Sequence, residues 1–262
     1  MKVVIIKKAV IIVIVIALIL TICFLNRDTK TLSDQVEPKK IAIIIDDFGN
    51  NGEGTDDMLK IKEHLTVAVM PNSPYSINDA ERAHKKGLEV IVHLPMEPIR
   101  GKKSWLPPDS ITSDLSLEEV LKRTRAAFDQ IPYAVGFNNH MGSKISTNRD
   151  MMYVILKEAK RRDFFVLDSR TVVGSVIDEV SQDIGINHYD RDMFIDSKSE
   201  YEVYKQVLKL AEISEEKGYA IGIGHVGPAG GKITARGIED ALPELKKRNI
   251  ELVYVSQIKQ GS

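Results

Sequence analysis

Cysteine is nearly absent from this chain: its 262 residues contain one, Cys23. That residue sits inside an apolar N-terminal run, so the folded remainder has neither disulfides nor thiolate metal sites. Any metal must be held by His, Asp, Glu or water. An excess of either charge is absent too. The formal net charge is −1, which removes the basic field that nucleic-acid binding draws on. Aromatics make up 6% of the chain, with Trp105 the only Trp, and this argues against a base-stacking platform. The glycine-rich stretch 224–231 lacks the G-x-x-x-x-G-K-[ST] spacing of a phosphate loop. There are no internal repeats and no low-complexity segments.

What is present begins with a break in composition. Lys2, Lys7 and Lys8 precede an apolar run from Ala9 to Leu25, closed by Asn26, Arg27 and Asp28. The run is at the short end of a membrane-spanning helix. It has no small-x-small cleavage pattern, and Ile22 stands where a lipobox before Cys23 would need a small residue. Residues 1–25 therefore read as a signal anchor in preference to a cleaved signal peptide. The positive-inside rule then places the rest outside the cytoplasm, membrane-anchored or secreted. Residues 26–40 are polar, contain Pro38 and read as a linker to a domain over 41–258.

In that domain short apolar runs alternate with amphipathic stretches. Strands are expected at 41–45, 66–70, 88–93, 134–137, 164–168, 186–189, 219–224 and 251–255. The first, Ile41-Ala-Ile-Ile-Ile45, is apolar throughout, as in a strand buried on both faces. Helices are expected at 77–86, 117–130, 148–162, 201–217 and 238–248. Ser116 with Glu119 makes a capping box, Asn148 is a second cap, and Pro243 should kink or restart the last helix. Such alternation implies a parallel sheet, closed into a barrel or open and doubly wound.

The residues able to carry chemistry cluster at the C-terminal ends of these strands. Asp46-Asp47 follow the first strand, His93 ends the third, His140 follows the fourth, Asp168 ends the fifth and His225 follows the seventh. In a parallel α/β protein those ends share one face, where active sites form. Two adjacent carboxylates at a buried strand end repel each other unless a cation intervenes, so one would bind an ion while the other stays free as a base. The alternative for the pair is a turn-and-cap role. Two His and one Asp make a ligand set for zinc or another divalent transition metal, with a position left for water. His225, among glycines, reads as a general acid. Asp168 either orients a catalytic group or forms a structural pair with Arg170. His64, His84 and His188 sit in bland surroundings. Trp105, in the loop 99–113, is open to a ligand-stacking, an exposed or a core role.

Five segments in this order, Ile45-Asp-Asp-Phe-Gly49, His93-Leu-Pro-Met-Glu-Pro98, Asn138-Asn-His-Met-Gly-Ser143, Asp168-Ser-Arg-Thr171 and Gly224-His225, resemble the polysaccharide deacetylase superfamily in its divergent branch of envelope proteins. The likeness spans about Lys40 to Ile258. It implies a distorted (β/α) barrel of about seven to eight parallel strands. It also implies a divalent metal, zinc by expectation, and hydrolysis of N-acetyl groups on a polysaccharide or amino-sugar glycan. In that family the first Asp of the pair is the base and the second a ligand, which maps to Asp46 and Asp47, and a late His is the general acid, which maps to His225. The usual His-x-x-x-His ligand pair reads His93-x-x-x-Glu97 here. The resemblance therefore implies His140 as third ligand beside Asp47 and His93, with Glu97 as a weaker choice. Two other readings compete: a non-catalytic glycan- or envelope-binding protein on the same fold, and a glycoside hydrolase using Asp46 with Asp168 or Glu97.

Overall fold

The computed structural model describes Thr21 and residues 37–101 and 106–259. The expected anchor and Trp105 lie outside the described residues. The chain divides into two units, Met1–Glu37 and Pro38–Ser262, and the second carries the fold described below. Among the described residues no helix is long and apolar enough to cross a membrane.

The elements alternate as the apolar pattern implies. They run β1 (Lys39–Phe48), α1 (Thr55–Met58), β2 (Thr66–Val69), α2 (Ser76–Lys85), β3 (Glu89–Met96), α3 (Leu117–Gln130), β4 (Ala134–Met141), α4 (Arg149–Arg161) and β5 (Phe165–Asp168). There follow α5 (Ile177–Ile184), β6 (His188–Asp190), β7 (Met193–Phe194), α6 (Glu200–Lys217), β8 (Tyr219–His225), α7 (Gly231–Lys247) and β9 (Ile250–Leu252). Every strand pairing is parallel, in the order β6-β5-β4-β3-β2-β1-β8-β7, with β9 on β1.

The two ends of that order are neighbours in sequence. One stretch pairs with β5 through 188–190 and with β8 through 193–194. At the crossover Arg191 N donates to Asp168 O at 3.1 Å and Asp192 N to Ile221 O at 2.8 Å. The Asp192 carboxylate accepts from Ile221 N at 2.8 Å on the same seam. This stretch therefore links the two ends of a curled parallel sheet, without a ladder between β6 and β7.

Strand alternation sorts the core into two layers. Ala42, Ile44, Ala68, Ile91, Phe165, Leu167, Tyr189, Ile221 and Ile223 pack together inside the barrel. Ile41, Ile43, Ile45, Val67, Val90, Val92, Phe137 and Val166 face the helices. Burial of β1 on both faces is what its unbroken apolar run anticipates. Two differences from expectation have local causes. Helix α7 starts at Gly231, earlier than the expected Ile238, and runs on through Pro243. A Cβ on Gly231 would come within 2.4 Å of Glu53 O, so the helix starts with a residue that disguises it in sequence. The last expected strand shrinks to β9, and Val255–Gln257 turn into a 3₁₀ helix.

Candidate metal and acid–base site

The inward-facing rows continue upward with polar residues. Two positions beyond Ile44 comes Asp46, beyond Ile91 comes His93, beyond Tyr189 comes Arg191, and beyond Ile223 comes His225. Asn138 joins them from β4, in register with His93, and Asp46 is in register with His225. A regular strand would turn Asp47 away from Asp46. The β1–β2 register instead shifts between Ile45 and Phe48, and Asp47 takes a left-handed conformation with φ 68°. This bulge turns the second carboxylate toward the same mouth as the first.

The structure brings Asp47, His93 and His140 together. Asp47 Oδ1 lies 3.3 Å from His93 Nε2 and 3.2 Å from His140 Nδ1, and the two ring nitrogens are 3.1 Å apart. Asp47 Oδ1 is buried and has no hydrogen bond of acceptable geometry. These residues satisfy a simple test of fit to a metal. Tetrahedral coordination at bond lengths of about 2.0–2.1 Å puts ligand atoms roughly 3.3 Å apart, and the three edges here match. The two-imidazole, one-carboxylate set suits zinc among divalent ions.

Asp46 is 2% exposed and sits beside this triangle. Its Oδ2 is 3.7 Å from His93 Nε2 and 4.0 Å from His225 Nε2, and its Oδ1 accepts from Asn138 Nδ2 at 2.8 Å. Burial pushes the Asp46 carboxyl above the usual carboxylate range, against the pull of both histidines. Burial acts on Asp47 in the same sense, but the close approach of the His140 and His93 rings outweighs it and holds Asp47 low. For His93, burial favours the neutral ring, and the charges of Asp46 and Asp47 outweigh it and raise the pKa.

His225 belongs to a second group. Its Nδ1 is 2.6 Å from Asp196 Oδ2, its backbone N donates to Asp196 Oδ1 at 2.9 Å, and Thr234 Oγ1 donates to the same oxygen at 3.0 Å. Burial would lower the His225 pKa. The Asp196 hydrogen bond, followed by the charge of Asp46, reverses this and carries it up to about 9. Phe194 lies beside the His225 ring, with centroids 5.6 Å apart, and the Arg191 guanidinium stacks on Phe194 at 3.7 Å.

Two sequence candidates stand apart. Asp168 alternates with Leu167, an inward residue, so its carboxylate leaves the inward row. Its Oδ1 accepts from Arg170 N at 2.7 Å, and Arg170 Nε is 3.9 Å from its Oδ2. Asp168 Oδ2 is buried without a hydrogen bond, and the carboxylate in contact with the candidate acid His225 is Asp196. Glu97 is committed to its loop: Oε2 accepts from Ser113 N at 2.7 Å and Oε1 pairs with Lys144 Nζ at 2.9 Å. Among the bland histidines, His84 stacks on Tyr133 and His188 lies between Asp178 and Asp190. Asp196 and Asn138 were missed by sequence reasoning. Asn138 did carry a signal, since it lies two residues beyond Gly136 on one strand face and just before His140.

A groove of about 490 Å³ opens over Asp47 and His140, walled by Asn50, Met70, Pro107 and Pro228. A larger depression of about 840 Å³ at the opposite end, around His64 and Ile250, contains none of these catalytic candidates.

Comparison with known proteins gives a family and a fold. A family described as divergent polysaccharide deacetylase matches residues 43–259. The uncharacterized protein YibQ of Escherichia coli K12 is 33% identical over 215 residues, covering 82% of this chain and 67% of that protein. The crystal structure of the uncharacterized protein ATU2773 from Agrobacterium tumefaciens C58 superposes with a TM-score of 0.74 at 19% identity, covering 84% of this chain and 89% of that one. The peptidoglycan N-acetylglucosamine deacetylase Bc1960, solved with a bound N-oxidanyl-benzamide, superposes at 0.51 with 10% identity, covering 86% and 90%. At these identities the two superpositions speak to fold alone.

Proposed function

Because the chain belongs to the divergent polysaccharide deacetylase family, we propose that it is a metal-dependent hydrolase removing N-acetyl groups from amino sugars of an envelope glycan. The observation that carries this reading is the placement of the Asp47–His93–His140 triangle beside an Asp46–His225 pair. Asp47, His93 and His140 would hold a divalent ion, which would supply Lewis-acid polarisation of the acyl carbonyl.

The chain's own residues handle the protons. Asp46 Oδ2, unlike Oδ1, is left free of Asn138 and takes a proton from the attacking water. Its burial makes it a stronger base than a solvated carboxylate. Water oxygen bonds to the acyl carbon, the carbon–nitrogen bond breaks, and His225 Nε2 gives its proton to the departing amine. With its pKa near 9, His225 carries that proton at neutral pH, while Asp196 holds the opposite ring nitrogen. Products are acetate and the free amino sugar. On the strength of sequence alone, the reading also puts the domain outside the cytoplasm, tethered by the apolar run 9–25. A glycosidase pairing Asp46 with Asp168 or Glu97 draws less support, since it leaves the clustered histidines without a role and Glu97 already serves Ser113 and Lys144.

The test is metal analysis of the purified chain together with acetate release from N-acetylglucosamine oligomers. Asp47→Ala should lose both metal and activity. A folded Asp47→Ala that keeps both removes the assignment. A wild-type chain that binds metal and glycan yet releases no acetate supports the binding-protein alternative.

A further inference from the structure

Resting on that reading, we infer that Asn138 is a positioning residue whose single amide fixes both the ring form of His93 and the aim of Asp46. Asn138 is fully buried on β4, in register with His93 on β3. Its side chain spans the barrel mouth, with Oδ1 2.6 Å from His93 Nδ1 and Nδ2 2.8 Å from Asp46 Oδ1. Among the described residues no other hydrogen bond reaches either of those atoms.

The polarity of the chain of bonds follows from what each group can do. An ionised carboxylate only accepts, so the amide nitrogen must face Asp46. The amide oxygen then faces His93 and also only accepts, so His93 Nδ1 must carry the ring proton. That leaves the Nε2 lone pair directed at Asp47 Oδ1 and His140 Nδ1, which is the form a metal needs. The same amide occupies Asp46 Oδ1 and so leaves Oδ2 as the oxygen facing His93 and His225. Ligand and base are thus set by one fully buried side chain that is not itself among the candidate ligands.

Two substitutions separate its two bonds. Asn138→Asp keeps an acceptor for His93 Nδ1 but replaces the neutral amide donor to Asp46 with a second carboxyl group that competes with Asp46 for a proton. Asn138→Leu, close in volume, loses both. Zinc affinity of the full chain, measured by chelator competition, should fall about 10–100-fold in the Leu variant and should not fall in the Asp variant. Acetate release should drop in both. Ring-nitrogen NMR of the metal-free chain at alkaline pH gives a readout that needs no metal: His93 should carry its proton on Nδ1 in wild type and Asn138→Asp, and shift toward Nε2 in Asn138→Leu. If Asn138→Leu fails to fold, the wild-type ring form and the Asp variant's affinity still decide the matter. Wild-type His93 protonated on Nε2, zinc affinity in a folded Leu variant equal to wild type, or an Asp variant with zinc affinity reduced about 10-fold or more would each overturn the inference. A wild-type chain that binds no zinc but shows the Nδ1 proton removes the metal reading and leaves the role of Asn138 standing.

Discussion

Removing the carboxylate behind His225 should shift the pH range of the reaction downward. In wild type the ring is protonated up to a pKa of about 9, against about 6.5 for an ordinary histidine. The gap corresponds to roughly 3 kcal/mol between the two protonation states. Asp196 is the largest favourable cause and Asp46 the next, both working against burial. In Asp196→Asn a neutral amide replaces the charge partner. A hydrogen bond to a charged group is worth about 1.5–3 kcal/mol, so the variant ring should titrate at least about one pH unit lower. A general acid works only while protonated, so the alkaline limb of kcat/KM should move to lower pH by that amount. The linkage has a definite sign. A raised folded-state pKa contributes stability that is full below pH about 6.5 and is lost as pH rises through about 9. The difference in Tm between wild type and Asp196→Asn should therefore be largest at pH 6 and shrink above pH 9. Acetate release and thermal unfolding across pH 5–10 read both effects. An alkaline limb and a Tm difference that ignore the substitution would refute the pairing of Asp196 with a protonated His225.

Two further substitutions test the placement of residues around the site. Glu97→Gln should leave bound metal unchanged, because the carboxylate serves Ser113 and Lys144 and not the ion; loss of metal in this variant would return Glu97 to the ligand set. Gly54→Ala should cost about 3 kcal/mol or more in urea unfolding, since a Cβ there would come within 2.2 Å of the Gly231 backbone at a φ of +85°; an unchanged midpoint would show that the 49–54 and 227–231 loops are not tightly packed.

Much of the fold was legible because it rests on local rules. Ile41–Ile45 announced a strand buried on both faces, and it forms the middle of β1. Ser116 and Asn148 announced helix starts, and each side chain accepts from the backbone N–H three residues on, Glu119 and Met151. The shared rim of Asp47, His93, His140 and His225 followed from strand ends in a parallel sheet. What stayed hidden depends on partners distant in sequence. The strand expected at 186–189 appears as β6. Asp190, Arg191 and Asp192 after that span read as a polar loop, yet this stretch joins the two ends of the sheet because its halves pair with different strands. Asp196 has no local mark of its role, and Asn138 has only its place on the strand face, since each acquires its meaning from a histidine elsewhere in the chain.

The paired carboxylates show why sequence adjacency and spatial convergence need separate explanations. In an unbroken strand, neighbouring residues face opposite sides, so Asp46 and Asp47 could not serve one site. The bulge after Ile45 solves this at the cost of a left-handed Asp47, a strain of about 1–2 kcal/mol for a residue bearing a Cβ. It also leaves Asp47 Oδ1 buried without a hydrogen bond, a second cost of about 1–3 kcal/mol. Neither cost serves the packing of the barrel, which a regular strand would satisfy. A cation at Oδ1, shared with His93 and His140, would offset both. The backbone distortion and the oxygen it leaves unpartnered are thus one feature with one occupant to explain it, which makes Asp47 the residue on which the metal reading depends.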